Sequence, residues 1–549
     1  MKTSTCSCLR SIFFIWTFSV LSQLVFSDSY YFYVQFSDKN NTPYSINNPE
    51  EFLSDRSITR RADQWIVCDS TDFPVNPSYV AQVANLGINV HSRSKWMNGI
   101  TVLVEDSTLM SQVRSLSFVN FVQYTGKKFT ILPAPAAKSK FQTESLNYGV
   151  AASQINQLNG EVLHESGFTG NDILVGVLDA GFKNVNINPA FDSLRMQNRL
   201  VGATSIIDPS YNIYNEDDHG ANVLSIMTGN LPGQYLGVAP HASFWLIQTE
   251  YVPTEYLVET DFWVRGIEFA DSVGVDIINS SLGYTEFDDP SMNFTYADMN
   301  GTVSRASRAA LMASQKGIVV CSSAGNDGSK PWKYIGSPAD ADGILTVGSV
   351  NSAGTISSFS SFGPAADNRI KPEVCATGSA TAIINPSGNI VYGNGTSFSS
   401  PVITGITACY IQFCKDQTPL GYSVSNIRQN IISSGHLYSN PGNQFGYGIP
   451  DFQTVIQNTP TNSTFEYKQN DLFKSYYNKL FKQICIIKSP FAANEDFYLE
   501  IFTTSGLLIH RELLLNTNNY FDVAHFSKGI YITRLSSDTK SQLTKIIIP

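Results

Sequence analysis

The feature that most narrows the fold is a series of short aliphatic runs separated by helix-length segments. Ile173 to Leu178, Ser243 to Ile247, Val275 to Ile278, Ile318 to Cys321 and Ile344 to Val347 all read as strands with little polar alternation. Strands of that kind are buried on both faces, as in a parallel sheet covered by helices. The intervening segments supply the cover: Val258 to Val273 and Ser304 to Lys316 are the clearest helices, the second closed by Gly317. The prediction is an α/β domain in three layers, a parallel sheet with helices on both faces.

Polar residues cluster where these runs end. Ile173 to Leu178 runs into Asp179-Ala180-Gly181, placing a carboxylate at the sheet edge where open α/β folds collect catalytic groups. Asp218-His219-Gly220 opens a helix that Gly229 closes. Ile318 to Cys321 leads into Ser322-Ser323-Ala324-Gly325-Asn326, and an amide on such a turn can serve as an oxyanion donor. Gly393-Asn394-Gly395-Thr396-Ser397-Phe398-Ser399-Ser400-Pro401 precedes the apolar run Val402 to Phe413. This sets the Ser397 hydroxyl at the N-terminus of a buried helix, where free N–H groups and the helix dipole favour developing negative charge. Pro401 fits a first-turn proline. Taken alone, glycine, serine and threonine before a helix more often make a turn and an N-cap. A serine nucleophile needs a base, and the base an orienting group; His219 and Asp179 are candidates for both.

Asp-x-Gly after a strand, His-Gly opening a helix, Ser-Ala-Gly-Asn after another strand and Gly-Thr-Ser-x-x-x-Pro at a helix start, in that order, resemble the subtilisin family of serine endopeptidases. The resemblance covers about Tyr148 to Gln457. It implies Ser397 as nucleophile, His219 as general base and then acid, and Asp179 as the carboxylate that fixes the imidazole tautomer. Asn326 and the Ser397 N–H would form the oxyanion hole. It further implies Ser281-Leu282-Gly283 as the strand that pairs with substrate, Ser323-Ala324-Gly325 as the opposite pocket wall, and Gly336 as the pocket floor. A glycine floor implies a roomy apolar pocket, hence large apolar or aromatic residues before the scissile bond. The sequence departs from the family at Ala221, Phe398 and Ser399; Phe398 is placed to crowd the leaving-group side. The loop Tyr284 to Asn300 is either a specificity rim or solvated surface, its composition favouring the latter.

At 549 residues the chain exceeds one core and suggests about three domains. Hydrophobic content of 42% with 15% charged residues describes a globular chain, and a net charge of −10 argues against a nucleic-acid partner. Residues 1–27 carry Lys2 and Arg10, then the apolar stretch Ile12 to Phe26, and end at Ser27 in a pattern suited to signal cleavage; a membrane anchor is the alternative. The eight cysteines form no disulfide framework, and no Cys/His spacing suggests zinc. No cofactor is required for the chemistry. Aspartates are numerous enough for the structural calcium that subtilisins often carry, yet no ordered ligand loop assigns a metal site. Six of the seven histidines read as bland, His164 as a surface helix end, and Asp217 and Asp218 as a solvated loop.

Residues 28–126 read as a small α+β module: strand Tyr30 to Phe36, helix Pro77 to Leu86, strand Gly99 to Val104, a helical stretch from Asp106 to Leu116 and strand Phe118 to Val122. This resembles the propeptide of subtilisins, which covers the active site and inhibits it. It carries an insert between Asp38 and Asp63, with Arg56 and Arg60-Arg61. Residues 127–147 are linker by composition, where a maturation cut is expected; a permanently attached domain is the alternative. The catalytic domain spans 148–457, a polar linker 458–466 and a β-rich unit 467–549. Gly529-Ile530-Tyr531 and the terminal lysine-bearing strand from Leu543 to Ile548 resemble the C-terminal sorting domain of type IX secretion cargo, with an accessory β-sandwich as the alternative. The chain is thus expected to be a secreted or outer-surface serine endopeptidase made as a proenzyme. Its expected partners are protein or peptide substrates, its own propeptide and the type IX machinery. A catalytically lost binding protein and an esterase are the rival readings.

Overall fold

The computed structural model describes residues 29–128, 147–417 and 422–459, and in the C-terminal region 472–478, 483–488, 496–514, 518–523, 525–537 and 540–548. The expected signal segment 1–27, nearly all of the 127–147 linker and most of the 458–466 linker lie outside the described residues.

The central sheet has seven strands, all parallel, in the order Val374–Thr377, Leu345–Val350, Val319–Ser323, Ile277–Ser280, Leu174–Asp179, Ser243–Gln248, Leu200–Ser205. Its five inner strands are the aliphatic runs of the sequence; the two edge strands were not expected. Leu200–Ser205 is half-exposed and small or polar in composition, and Val374–Thr377 has only four residues. The sheet buries both faces. Val175 and Val177 pack with the helices His219–Thr228 and Thr396–Gln417 on one side. Leu174 and Leu178 pack with Val258–Val273 and Arg305–Gln315 on the other.

The helix from Thr396 starts earlier than its apolar run and corrects one reading: Pro401 is its sixth residue, not a first-turn residue. Proline has no N–H to donate to the carbonyl four residues back. That carbonyl belongs to Ser397, and the Ser281 hydroxyl donates to it instead at 2.9 Å.

The N-terminal module is a four-stranded antiparallel sheet ordered Asn89–Ser94, Gly99–Val104, Tyr30–Phe36, Val119–Lys127. Strand Asn89–Ser94 is an addition to the expected three, hidden by its polar sequence. The insert is not featureless either. It forms the helix Asp55–Asp63, N-capped by Ser54, which lies against the catalytic domain. Arg56 donates to the Gly274 carbonyl (3.0 Å), Arg60 to those of Val275 (2.7 Å) and Lys316 (3.2 Å), and Gln64 to that of Gly317 (2.7 Å). Cationic and amide donors therefore meet the carbonyls at the C-terminal ends of two catalytic-domain helices, where the helix dipole welcomes them. Fully buried Asp271 accepts from Arg60 (2.7 Å), Arg61 (2.9 Å) and Lys95 (2.6 Å). Burial raises its pKa, but the charges of Lys95, Arg61 and Arg60 outweigh that and hold the carboxyl well below the usual range.

The C-terminal unit packs a three-stranded antiparallel sheet (Phe473–Asn478, Gln483–Lys488, Asn518–Asp522) on a four-stranded one (Leu508–Leu514, Phe497–Thr503, Gly529–Ser536, Ser541–Ile548). Phe473, Ile484 and Ile486 of the first share a core with Phe497, Leu499, Ile501, Leu535 and Ile546 of the second, a β-sandwich. No helix of the described residues is long and apolar enough to cross a membrane. Among the described residues no disulfide joins Cys68, Cys321, Cys375, Cys409 or Cys414. His164 is not at the surface: it is buried, within 3.0 Å of the Tyr148 hydroxyl and 2.9 Å of the Val238 carbonyl, and burial pushes its pKa down to about 4.

Candidate active site

The sheet's carboxyl edge gathers the polar residues that end its strands. Asp179, fully buried, places Oδ1 2.7 Å from His219 Nδ1 and also accepts the Ala180 N–H at 2.8 Å. His219 begins its helix, and the Asp217 carboxylate accepts its backbone N–H at 2.8 Å. Asp217, one residue before the N-cap Asp218, thus satisfies one of the helix's otherwise orphaned donors rather than lying free in the loop, whereas Asp218 makes no side-chain cap bond. Burial lowers the imidazole pKa, but the Asp179 charge and hydrogen bond, with Glu250 and Asp217 behind them, push it up to about 9. The side chain remains 31% exposed, so solvent screens part of that attraction.

Ser397, 9% exposed, sits at the second position of its helix. Its hydroxyl donates to the Ser281 carbonyl at 3.4 Å, while the Ser281 hydroxyl donates to the Ser397 carbonyl. The structure thus brings Ser397 against Ser281 and Asp179 against His219, without a hydrogen bond between Ser397 and the imidazole. Phe398 packs under Gly393 and sets its ring 6.2 Å from that of His219, tilted by 31°. It flanks the imidazole and is largely buried rather than standing in open cleft.

Asn326 is oriented from two sides. Its Oδ1 accepts the Thr396 N–H (2.9 Å) and the Thr396 hydroxyl (3.0 Å), which leaves the NH₂ as the outward-facing half of an exposed amide. Thr396 Oγ1 in turn accepts the Gly325 N–H at 3.1 Å. Ser323 and Ala324 are buried at the end of their strand, with Gly325 following at φ +102°. Gly283 is exposed, and the next residue, Tyr284, bridges to Ser337 beside Gly336. A Cβ at Gly336 would approach the Thr285 side chain to 2.8 Å, so the glycine is needed for close packing there. Leu282 is buried.

Two site residues escaped the sequence reading. Asn279, buried in the strand Ile277–Ser280, accepts the hydroxyls of Ser400 (2.9 Å) and Thr404 (3.0 Å) and donates to Ser281 Oγ (3.1 Å). It ties the Ser397 helix to the sheet, and its signal was an amide in an otherwise apolar run. Glu250 follows strand Ser243–Gln248 by two residues and acts electrostatically on His219.

A model of the subtilase family matches residues 170–448. A model of the peptidase S8 propeptide domain of Bacteroidota matches 31–144, and one of the secretion system C-terminal sorting domain matches 481–549. Among similar proteins, subtilisin DY of Bacillus licheniformis is 30% identical over 308 residues, 56% of this chain and 96% of that protein. Subtilisin of Bacillus pumilus is 28% identical over 318 residues, 57% and 100%. Subtilisin NAT of Bacillus subtilis subsp. natto is 29% identical over 309 residues, 56% and 69%.

Proposed function

Given that this chain belongs to the subtilase family and is a serine endopeptidase made as a proenzyme with a C-terminal sorting domain, we propose that Asp179, His219 and Ser397 carry the reaction. The observation that supports this most directly is the 2.7 Å contact between buried Asp179 and His219 Nδ1. It fixes the tautomer that leaves Nε2 as the acceptor. In this reading the Ser397 hydroxyl turns from the Ser281 carbonyl to the imidazole when substrate binds, a contact that commonly tightens only in the complex. His219 takes its proton as the oxygen attacks the peptide carbonyl, then passes that proton to the leaving amine. Water hydrolyses the acyl-enzyme by the same route in reverse.

Asn326 is the proposed oxyanion donor, with the Ser397 N–H beside it. Its amide is already held by Thr396, so little reorganisation is needed as charge develops. Asn326→Ala should lower kcat by about 10²–10³ with little change in KM, the magnitude that loss of the equivalent amide has in subtilisin. Steady-state kinetics on a chromogenic peptide check it, and a loss confined to KM would remove Asn326 from this role.

The base must be neutral to accept a proton, and the carboxylates around His219 stabilise its protonated form. Activity is therefore low in acid and rises with pH, with a midpoint between the ordinary histidine value and about 9. A pH profile of kcat/KM tests this; a plateau already reached at about pH 6, below the ordinary histidine value, would contradict it. We further infer that the domain bounds fall at 28–126, 148–457 and 467–549, that residues 1–27 are a cleaved signal, and that the sorting domain sends the enzyme to the outer surface or medium. The Ser281–Gly283 edge, the Ser323–Gly325 wall and Gly336 are assigned to substrate, with large apolar residues preferred before the scissile bond. A peptide-library profile at that position dominated by lysine or aspartate would refute the preference.

A further inference from the structure

Beyond strand Ser243–Gln248, three glutamates converge. Carboxylate oxygens of Glu250, Glu255 and Glu259 lie within 4.8 Å of one another. Glu250 and Glu255 are half-buried, whereas Glu259 is fully buried and accepts the backbone N–H groups of Tyr256 (3.2 Å) and Tyr251 (3.5 Å). None of the three makes an ion pair with a lysine or arginine among the described residues. Burial and the nearby charge of Asp179 push Glu250 up to about 7, while burial and the charge of Glu250 push Glu255 to about 8 and raise Glu259 well above its ordinary value. Carboxyls in that state either hold protons or await a cation.

A second observation is independent of these acids. Tyr284, the residue after Ser281-Leu282-Gly283, is fully buried, and its hydroxyl has no hydrogen-bond partner. Glu250, Glu259 and Glu255 are the charged groups that act on it most strongly. A buried hydroxyl is seldom left unsatisfied, and one in the field of three carboxylates is suited to accept from a donor-rich cation that they bind.

The surroundings indicate what brings that cation. The Thr249 N–H donates to the Asp179 carbonyl at 3.0 Å, so Glu250, the next residue, borders the proposed catalytic residues. The Glu255 N–H donates to Asp288 (3.2 Å) and the Asp288 N–H to the Glu255 carbonyl (2.8 Å), tying the cluster to the loop that follows the substrate edge. Gly126 of the N-terminal module packs on Tyr256, where a Cβ would come within 2.7 Å of the Tyr256 Cβ, and Lys127-Lys128 come next in the chain. A divalent cation would also neutralise three carboxylates, but two Glu259 oxygens already accept backbone N–H groups. The backbone ties to Asp179 and to the loop after the proposed substrate edge favour a charge that arrives with the peptide.

We propose that Glu250, Glu255 and Glu259, with the Tyr284 hydroxyl, form a subsite that takes the ammonium or guanidinium group of a lysine or arginine in the bound peptide. It lies at a position distinct from the residue entering the Ser323–Gly325 wall. The proposal rests on the endopeptidase reading and adds a second specificity position to it.

The test is position-scanning of peptides with the secreted enzyme, comparing lysine, arginine, norleucine and citrulline at each position while an apolar residue is kept before the scissile bond. One position should favour lysine or arginine over its neutral counterpart by at least about tenfold in kcat/KM, mostly through KM. Glu255→Gln and, separately, Tyr284→Phe should shrink that ratio. The inference is overturned by a neutral profile from an active enzyme, or by a basic preference that both substitutions leave intact. A rise in wild-type Tm with added calcium, abolished in Glu259→Gln and accompanied by no basic preference, would make it a metal site instead. Wild type that cleaves neither these peptides nor casein removes the endopeptidase reading, and the subsite with it.

Discussion

Replacing Ser397 by alanine is expected to lower kcat by about 10⁶, the size of the loss in subtilisin. Such a loss follows from the arrangement. In the proposed mechanism, without the hydroxyl His219 has no proton to take, Asp179 orients a ring with nothing to activate, and only binding and the Asn326 amide remain. The measurement is digestion of denatured casein by secreted protein, wild type beside Ser397→Ala, with and without a serine-directed covalent inhibitor. Cleavage by wild type alone, abolished by the inhibitor, is the expected result. Residual cleavage above about one part in 10³ in the alanine variant would mean that another nucleophile carries the reaction. If wild type, with propeptide removal confirmed by mass, digests nothing, a binding protein or a narrowly specific enzyme becomes the better reading.

Asp271→Ala in the uncleaved precursor should destabilise docking of the N-terminal module by about 3–5 kcal/mol. The carboxylate is the shared partner of Arg60, Arg61 and Lys95, whose side chains are 1%, 2% and 9% exposed. Removing it leaves three cations out of water with Asp72 alone as a nearby anion for Arg61, and an uncompensated buried charge costs more than the pair contributes. Sign and pH range follow from the lowered carboxyl pKa. The Asp271 contribution is present above the unfolded value of about 4 and is lost as acid protonates it in the folded state. Denaturant unfolding in a Ser397→Ala background, which prevents self-cleavage, reads the effect directly. A change below about 1 kcal/mol, the range of an ordinary surface pair, would show that the module is held by its apolar contacts and by the hydrogen bonds that the Ser94 hydroxyl (2.6 Å) and the Lys95 and Trp96 N–H groups (both 3.0 Å) donate to buried Glu268 of the helix Val258–Val273.

The sequence displayed what is buried and periodic and concealed what is marginal. The inner strands declared themselves because a strand covered on both faces must be aliphatic, and the polar residues ending them marked the active edge. Leu200–Ser205 and Val374–Thr377 lie at the edges, where exposure or brevity dilutes that signal. Asn89–Ser94 failed for the same reason, since Asn-Val-His-Ser-Arg-Ser carries no apolar face. The helix Asp55–Asp63 was illegible for another reason: its sequence is almost wholly polar because its partners are helix-end carbonyls and Asp271, far away in the chain. Asp179, His219, Ser397 and Asn326 could be proposed from local motifs, whereas Asn279 and the glutamate cluster acquire meaning only through residues brought together by the fold. His164 looked superficial beside Glu165 and Ser166, and its burial comes from Tyr148 and Val238.

The proline in the Ser397 helix makes the proposed nucleophile's own backbone a mechanical tether. Because Pro401 cannot claim the Ser397 carbonyl, that oxygen is available to the Ser281 hydroxyl, on the strand edge where a peptide would lie. Displacement of that edge is felt at Ser397, the proposed attacking residue, through two hydrogen bonds, one from each hydroxyl to the other's carbonyl, and displacement of a reacting atom by about 1 Å can cost about 10²-fold in rate. In the proposed mechanism, alignment of the peptide and alignment of the attacking oxygen are then one adjustment.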